Sequence, residues 1–137
     1  MPTEVILPVR AERRMRTEAD AWLTTVRSDG QPQSSVIWFC WNDAVVWIRS
    51  QPHAGKIANI RHQPRVSVNL NSNGHGGGVV TLEGIAEIVD ELPADVRGAY
   101  VAKYEHAIRR SLGMTPEQML AAYSTSIRIS VERVRAW

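Results

Sequence analysis

Cysteine is almost absent: Cys40 stands alone, so no disulfide can form within the chain and no cysteine-based metal cage can be built. A reducing, cytoplasmic setting is the expectation that follows. Long apolar runs are missing as well. Stretches such as Val36 to Trp41 are too short to cross a bilayer, and Met1 to Leu7 offers no basic region followed by an apolar stretch; neither a membrane span nor a leader is expected. Charge is sparse and nearly balanced, with 22% charged residues and a net charge of +2. The arginines are scattered rather than blocked, which argues against a nucleic-acid partner. His53, His62, His75 and His106 show none of the spacings that hold a metal, so no metal site is expected.

What the chain does have is enough apolar material for a core. With 137 residues and 44% hydrophobic side chains, one domain spanning 1–137 is the natural reading. A helical pattern runs over about 9–21, with Ala11, Met15, Ala19 and Leu23 on one side and Arg10, Arg13, Arg14 and Arg16 read as the wet face. Trp22 to Val26 is β-rich and leads into an Asp29-Gly30 turn. Gln33 to Trp41 reads as a second strand, Asn42-Asp43 as a tight turn and Ala44 to Ser50 as a third strand. Ala54, Ile57 and Ala58 give a short helix that stops before Pro64. Arg65 to Asn71 and Val79 to Val89 are two further strands, the latter with Gly84 marking a bulge or a close backbone approach.

Val96, Tyr100, Tyr104, Ala107 and Ile108 form the apolar stripe of a longer helix, and Thr115-Pro116-Glu117-Gln118 has the form of a capping box. A final strand carries Ile127, Ile129 and Val131. Six strands mostly joined by hairpins predict a mainly β (α+β), antiparallel barrel over about 22–136, with peripheral helices.

His75-Gly76-Gly77-Gly78 is similar to the oxyanion loop of esterases, but no Gly-x-Ser-x-Gly elbow accompanies it, and it reads as a flexible connection between strands. The segment Arg49-Ser50-Gln51-Pro52-His53-Ala54-Gly55-Lys56 is more informative. A strand there ends in a cation and a hydroxyl, and the following helix carries Lys56 in its first turn. Free N–H groups and the positive dipole end of that helix, joined by Arg49, Ser50 and Lys56, would make an anion site; solvated surface charges are the alternative. Lys56 is one of only two lysines against fourteen arginines. Trp38, Phe39, Trp41 and Trp47 offer flat apolar walls for a planar ring, or equally a barrel core or subunit interface.

Taken together, these blocks resemble the pyridoxamine-phosphate-oxidase-like split β-barrels. The likeness is greater to their branch that uses the deazaflavin coenzyme F420. It rests on Thr24 to Phe39, on Val46-Trp47-Ile48-Arg49-Ser50 with Lys56-Ile57-Ala58-Asn59-Ile60, on Pro64 to Val68, and on Leu82-Glu83-Gly84-Ile85-Ala86, and it runs from about Ala21 to Ala136.

The resemblance implies a homodimer with cofactor at the subunit interface, with Ser50 and Lys56 as phosphate ligands aided by Arg49. Gly55 and Asn59 belong to the same segment. Ser35, Val36, Ile37 and Trp38 would line the ring, and Asn71 would lie near its far end. Such proteins pass a hydride between F420 and a small unsaturated or electrophilic substrate, and no catalytic side chain can be named. The chain has Ser35 and Cys40 where vitamin B6 oxidases carry a basic pair, and it ends Glu132-Arg133-Val134-Arg135-Ala136-Trp137 rather than in an Arg-x-x-Pro motif. That favours F420 over FMN and points away from vitamin B6 oxidation. An F420-binding carrier without turnover and an FMN-dependent oxidase are the alternatives.

Overall fold

The computed structural model describes residues 5–137. Met1 to Glu4, part of the segment read above as carrying no leader, lie outside the described residues. Among the described residues no helix is long and apolar enough to cross a membrane.

In chain order the elements are α1 (Val9–Thr17), β1 (Ala21–Val26), β2 (Pro32–Ile37), β3 (Cys40–Asn42), β4 (Val45–Ser50), α2 (Gly55–His62), β5 (Arg65–Asn69), β6 (Val80–Val89), α3 (Ala94–Arg110), α4 (Pro116–Ala122) and β7 (Thr125–Ala136). All strand pairs are antiparallel, in the spatial order β2-β1-β5-β6-β7-β4-β3. The mainly β split barrel with peripheral helices is therefore what the chain forms.

The expected second strand is in fact two, which makes seven strands where six were read. Trp38 and Phe39 lie outside the ladder, and the chain passes from β2 on one edge of the sheet to β3 on the other. Two intervening residues cannot bridge more than about 11 Å between Ile37 and Cys40. The edges must therefore come together at this corner, and the sheet curls to do so. An unbroken apolar and aromatic run gives no sign of the break, because side-chain pattern does not encode where a strand changes neighbours.

Other limits shift by a few residues. The first helix stops at Thr17 rather than at about Ala21, since Ala21 already pairs with Ile37. Asp43 and Ala44, not Asn42 and Asp43, take the positive φ of the β3–β4 turn, at 50° and 59°. Arg14 is not on a wet face. Its guanidinium donates to the Gly78 carbonyl, to the Asn71 carbonyl at 2.6 Å and to Glu18 at 2.9 Å, so α1 is tied to the loop that joins β5 to β6.

Gly84 meets both halves of its expectation. The β6–β7 register shifts between Glu83 and Gly84, and a Cβ at Gly84 would lie 2.4 Å from the Ser130 carbonyl oxygen. The His75 to Gly78 tract is pinned by Asn73, whose Oδ1 accepts from the His75 and Gly77 N–H groups at 2.7 and 3.1 Å. At α4 the expected capping box is present: Gln118 N donates to Thr115 Oγ1 at 3.1 Å, and Thr115 N to Gln118 Oε1 at 2.9 Å.

Two apolar clusters result. Leu23, Phe39, Val46, Ile48, Leu82, Ile127 and Ile129 fill the barrel. Val45, Trp47, Tyr100, Tyr104, Ile108 and Met119 form a second core between β4 and the α3–α4 pair. Residues of β4 alternate between them, because neighbouring side chains on a strand point to opposite faces. Nearly the whole of β4 is buried as a consequence.

Candidate functional site

The alternation along β4 separates the two residues that end it. Ser50 continues the barrel-facing row of Val46 and Ile48, is only 2% exposed, and donates its hydroxyl proton to the Gln51 carbonyl at 2.9 Å. Arg49 continues the row of Val45 and Trp47 toward the α3–α4 side. There its guanidinium donates to the carbonyl of Leu120, to Ser126 Oγ at 2.9 Å and to the carbonyl of Asp90 at 3.3 Å. Its buried Nε has no partner among the described residues, and burial lowers the Arg49 pKa. Arg49 thus spends its terminal nitrogens on holding α4, β7 and the turn after β6 together.

After Ser50 the chain turns into α2. Pro52 has no N–H to continue a ladder, and no side chain caps the helix at Ala54. Ile57 N returns to the Ala54 carbonyl at 3.0 Å, whereas the N–H groups of Gly55 and Lys56 have no backbone acceptor. Lys56 itself is half-buried, makes no hydrogen bond or ion pair among the described residues, and has its pKa lowered by burial. An unpaired, partly desolvated ammonium beside two free N–H groups at a helix start is a strong attractor for an anion.

Lys56 and Ser50 open onto a cavity of about 310 Å³ lined by Val36, Ile37, Trp38, Arg49, Ser50, Gln51, Ala54, Lys56, Tyr100, Leu112, Met119 and Tyr123. Ser50, Gln51 and Lys56 supply polar parts of its lining. Trp38, Tyr100, Leu112, Met119 and Tyr123 supply apolar and aromatic ones. Burial holds the Tyr100 hydroxyl well above its ordinary value, so it stays protonated at physiological pH.

The β2 side of the cavity contributes backbone as well as side chains. The Arg27 N–H donates to the Gln31 carbonyl at 2.9 Å, which fixes the phase of the β1–β2 ladder. Thr25/Gln33, Leu23/Ser35 and Ala21/Ile37 are then the pairs that exchange hydrogen bonds, while Thr24/Ser34 and Trp22/Val36 are not. Since β2 is an edge strand, the N–H and C=O groups of Ser34 and Val36 point outward with no strand to meet them. Val36 is 48% exposed, and its cross-strand partner Trp22 is 39% exposed.

Six of the ten residues expected from sequence therefore line one cavity: Val36, Ile37, Trp38, Arg49, Ser50 and Lys56. Ser35, Gly55, Asn59 and Asn71 are not in its lining. Asn59 is buried with its amide donating to Thr25 Oγ1 at 2.9 Å and Gln33 Oε1 at 3.0 Å, which ties α2 to the first hairpin. Asn71 accepts the Trp22 indole N–H at 2.9 Å, placing it on the outer face beyond Trp22 and Val36. Of the broader aromatic set, Phe39, Trp41 and Trp47 are core residues and Trp38 alone reaches the cavity.

Tyr100, Leu112, Met119 and Tyr123 are lining residues that sequence reasoning missed. Tyr100 was legible only as part of a helical core stripe, and nothing local indicates that α3 and α4 fold over the β4–α2 junction.

Comparison with known proteins bears on this site. Residues 11–137 match the pyridoxamine 5'-phosphate oxidase family. The fold is shared with a conserved hypothetical protein from Mycobacterium tuberculosis, with TM-score 0.76 and 24% identity over 100% of this chain and 88% of that one. It is shared equally with an F420 reductase, with TM-score 0.70 and 24% identity over 94% and 98% of the two chains. The heme storage protein HutZ of Vibrio cholerae, with TM-score 0.73 and 15% identity, covers 96% of this chain and 95% of its own. No curated protein is significantly similar in sequence. At these identities the solved structures establish the fold alone.

Proposed function

Because the chain belongs to the pyridoxamine 5'-phosphate oxidase family, we propose that its cavity is the site of a phosphorylated flavin-type cofactor and that the protein is an oxidoreductase. The observation that carries this reading is the Lys56 ammonium, which lines the cavity together with Ser50, has no hydrogen-bond or ion-pair partner among the described residues, and belongs to the first turn of a helix with no side-chain cap. A phosphate would be held by these groups, with Arg49 supporting the cavity wall from behind.

The outward N–H and C=O of Val36 suit the polar edge of an isoalloxazine or deazaflavin ring, and Trp38 suits its face. When bound, such a cofactor supplies the hydride chemistry. The protein's own residues bind the phosphate, orient the ring and exclude water with Trp38, Met119 and Tyr123. Tyr100 keeps its proton at the cavity wall.

Two cofactors fit this description. The family match favours FMN and an FMN-dependent enzyme of pyridoxamine-phosphate-oxidase type. The F420 reductase among the structural neighbours, with Ser35 and Cys40 in place of a basic pair, favours F420 and a reductase of small electrophilic substrates. Exposed Trp22 and Val36, opposite each other beside the cavity, support a homodimer that covers the site. Equilibrium titration of the purified protein with FMN and with F420 selects the cofactor, and failure of both to bind in the micromolar range rejects the reading. Oxidation of the reduced cofactor by enones or quinones then separates an enzyme from a carrier, which would bind tightly without turnover.

A further inference from the structure

The corner at Trp38 and Phe39 is fastened from one side by two consecutive residues of α3. The Tyr104 hydroxyl accepts the Phe39 N–H at 2.8 Å and lies 2.7 Å from the Ala19 carbonyl, to which it donates. Lys103 Nζ donates to the Phe39 carbonyl at 2.9 Å and sits 3.8 Å from the centroid of the Phe39 ring. Both polar groups of a backbone unit outside the ladder are thereby satisfied. The Trp38 indole then lies flat on the Tyr104 ring, with centroids 4.6 Å apart and planes 2° from parallel. Tyr100, one turn earlier, packs at 5.1 Å against Tyr104 and lines the same cavity as Trp38.

A parallel pair with this separation is an offset stack. It covers one face of the indole and holds the ring in place while Trp38 still lines the cavity. Without the stack the indole would be a half-buried side chain with rotamer freedom to lose on binding.

We propose that Trp38 is a stacking platform for one planar ring of the bound ligand, and that Tyr104, with Lys103, is the positioning residue that sets it. Neither Tyr104 nor Lys103 lines the cavity, so their effect passes through Trp38. The inference rests on the cofactor reading for the identity of the ring, but not for the existence of the platform.

The test uses the whole chain labelled with 5-fluorotryptophan, in which the Trp38 ¹⁹F signal is the one lost in Trp38→Phe. Lumiflavin, a planar flavin ring without the phosphate arm, is titrated into the wild type, Tyr104→Phe and Tyr104→Leu. The expected result is a saturable shift of the Trp38 signal in the wild type, and in Tyr104→Phe, which keeps the stack. In Tyr104→Leu the signal should start from a different position, and half-saturation should need about 2- to 12-fold more lumiflavin, the range an aromatic stack provides. A Trp38 signal that does not respond to lumiflavin overturns the platform, as does a Tyr104→Leu titration identical to that of the wild type. Should Tyr104→Leu not fold, Trp38→Leu must show a comparable loss of lumiflavin affinity, and an unchanged affinity overturns the proposal. FMN and F420 that bind no more tightly than lumiflavin would defeat the phosphate reading instead, while the Trp38 signal still decides the platform.

Discussion

The two lysines of this chain occupy opposite situations. Lys56, at the start of α2, is half-buried in a cavity wall and has no partner among the described residues, and burial lowers its pKa. Lys103, in the middle of α3, is equally half-buried, and burial lowers its pKa to about 8; yet its ammonium is committed to the Phe39 carbonyl and ring. One cation is spent on the fold and the other is available. A partly desolvated charge without a partner costs free energy, and such a cost is expected to persist where a ligand can offset it.

The sharpest way to break this comparison is Lys56→Ala. Loss of a charge-assisted bond to phosphate should weaken binding of the phosphorylated cofactor by about 1 to 3 kcal/mol, or about 5- to 150-fold, with the melting temperature little changed. Titration calorimetry and a thermal melt check both halves. Lys103→Met should behave in the reverse manner, costing about 0.5 to 1.5 kcal/mol in denaturant-measured stability, with a smaller loss of cofactor affinity than Lys56→Ala.

Proton linkage separates the two as well. Between about pH 8 and the ordinary lysine value of 10.5, folded Lys103 binds fewer protons than it does when unfolded, so its contribution makes stability rise with pH across that window. Lys103→Met should reduce the rise of stability with pH in urea melts run from pH 8 to 9.5, where Lys56 acts in the same sense and Cys40, its pKa raised by burial, in the opposite one. Above about pH 10 the buried Tyr100 and Tyr104, whose pKa values are raised by burial, act in the opposite direction, because the folded state keeps protons that the unfolded chain releases. Phosphate binding should instead weaken as pH climbs through the lowered Lys56 pKa, since the anion holds the ammonium in its charged form.

The smallest effect belongs to a cation paired on the surface. Arg65, paired with Glu132 at 3.5 Å and 71% exposed, should change stability by less than about 0.5 kcal/mol when replaced by alanine, as a urea melt would record.

Much of this was legible from sequence because it is local. The capping box at Thr115, the strand-to-helix junction at Ser50 to Lys56 and the special position of Gly84 each depend on a few neighbouring residues, and each is present. Strand alternation was legible too, and at Arg49 and Ser50 it sets two adjacent side chains on opposite faces of β4. Adjacent strand residues face opposite sides, which sends the guanidinium to Leu120 and Ser126. The break at Trp38–Phe39 and the wall formed by Tyr100, Met119 and Tyr123 were not legible, since both depend on which distant elements meet. A half-buried tryptophan and a core tryptophan look alike until the sheet closes around them.

The central claim is that Lys56 grips the phosphate of a flavin-type cofactor, and a double-mutant-style cycle tests it most directly. Affinities of FMN and riboflavin, and of F420 and its phosphate-free deazaflavin riboside, are measured on the wild type and on Lys56→Ala. For the cofactor that binds, removing the phosphate should cost about 1 to 3 kcal/mol more in the wild type than in Lys56→Ala. An equal cost in both proteins, or no binding by either pair, would contradict the account.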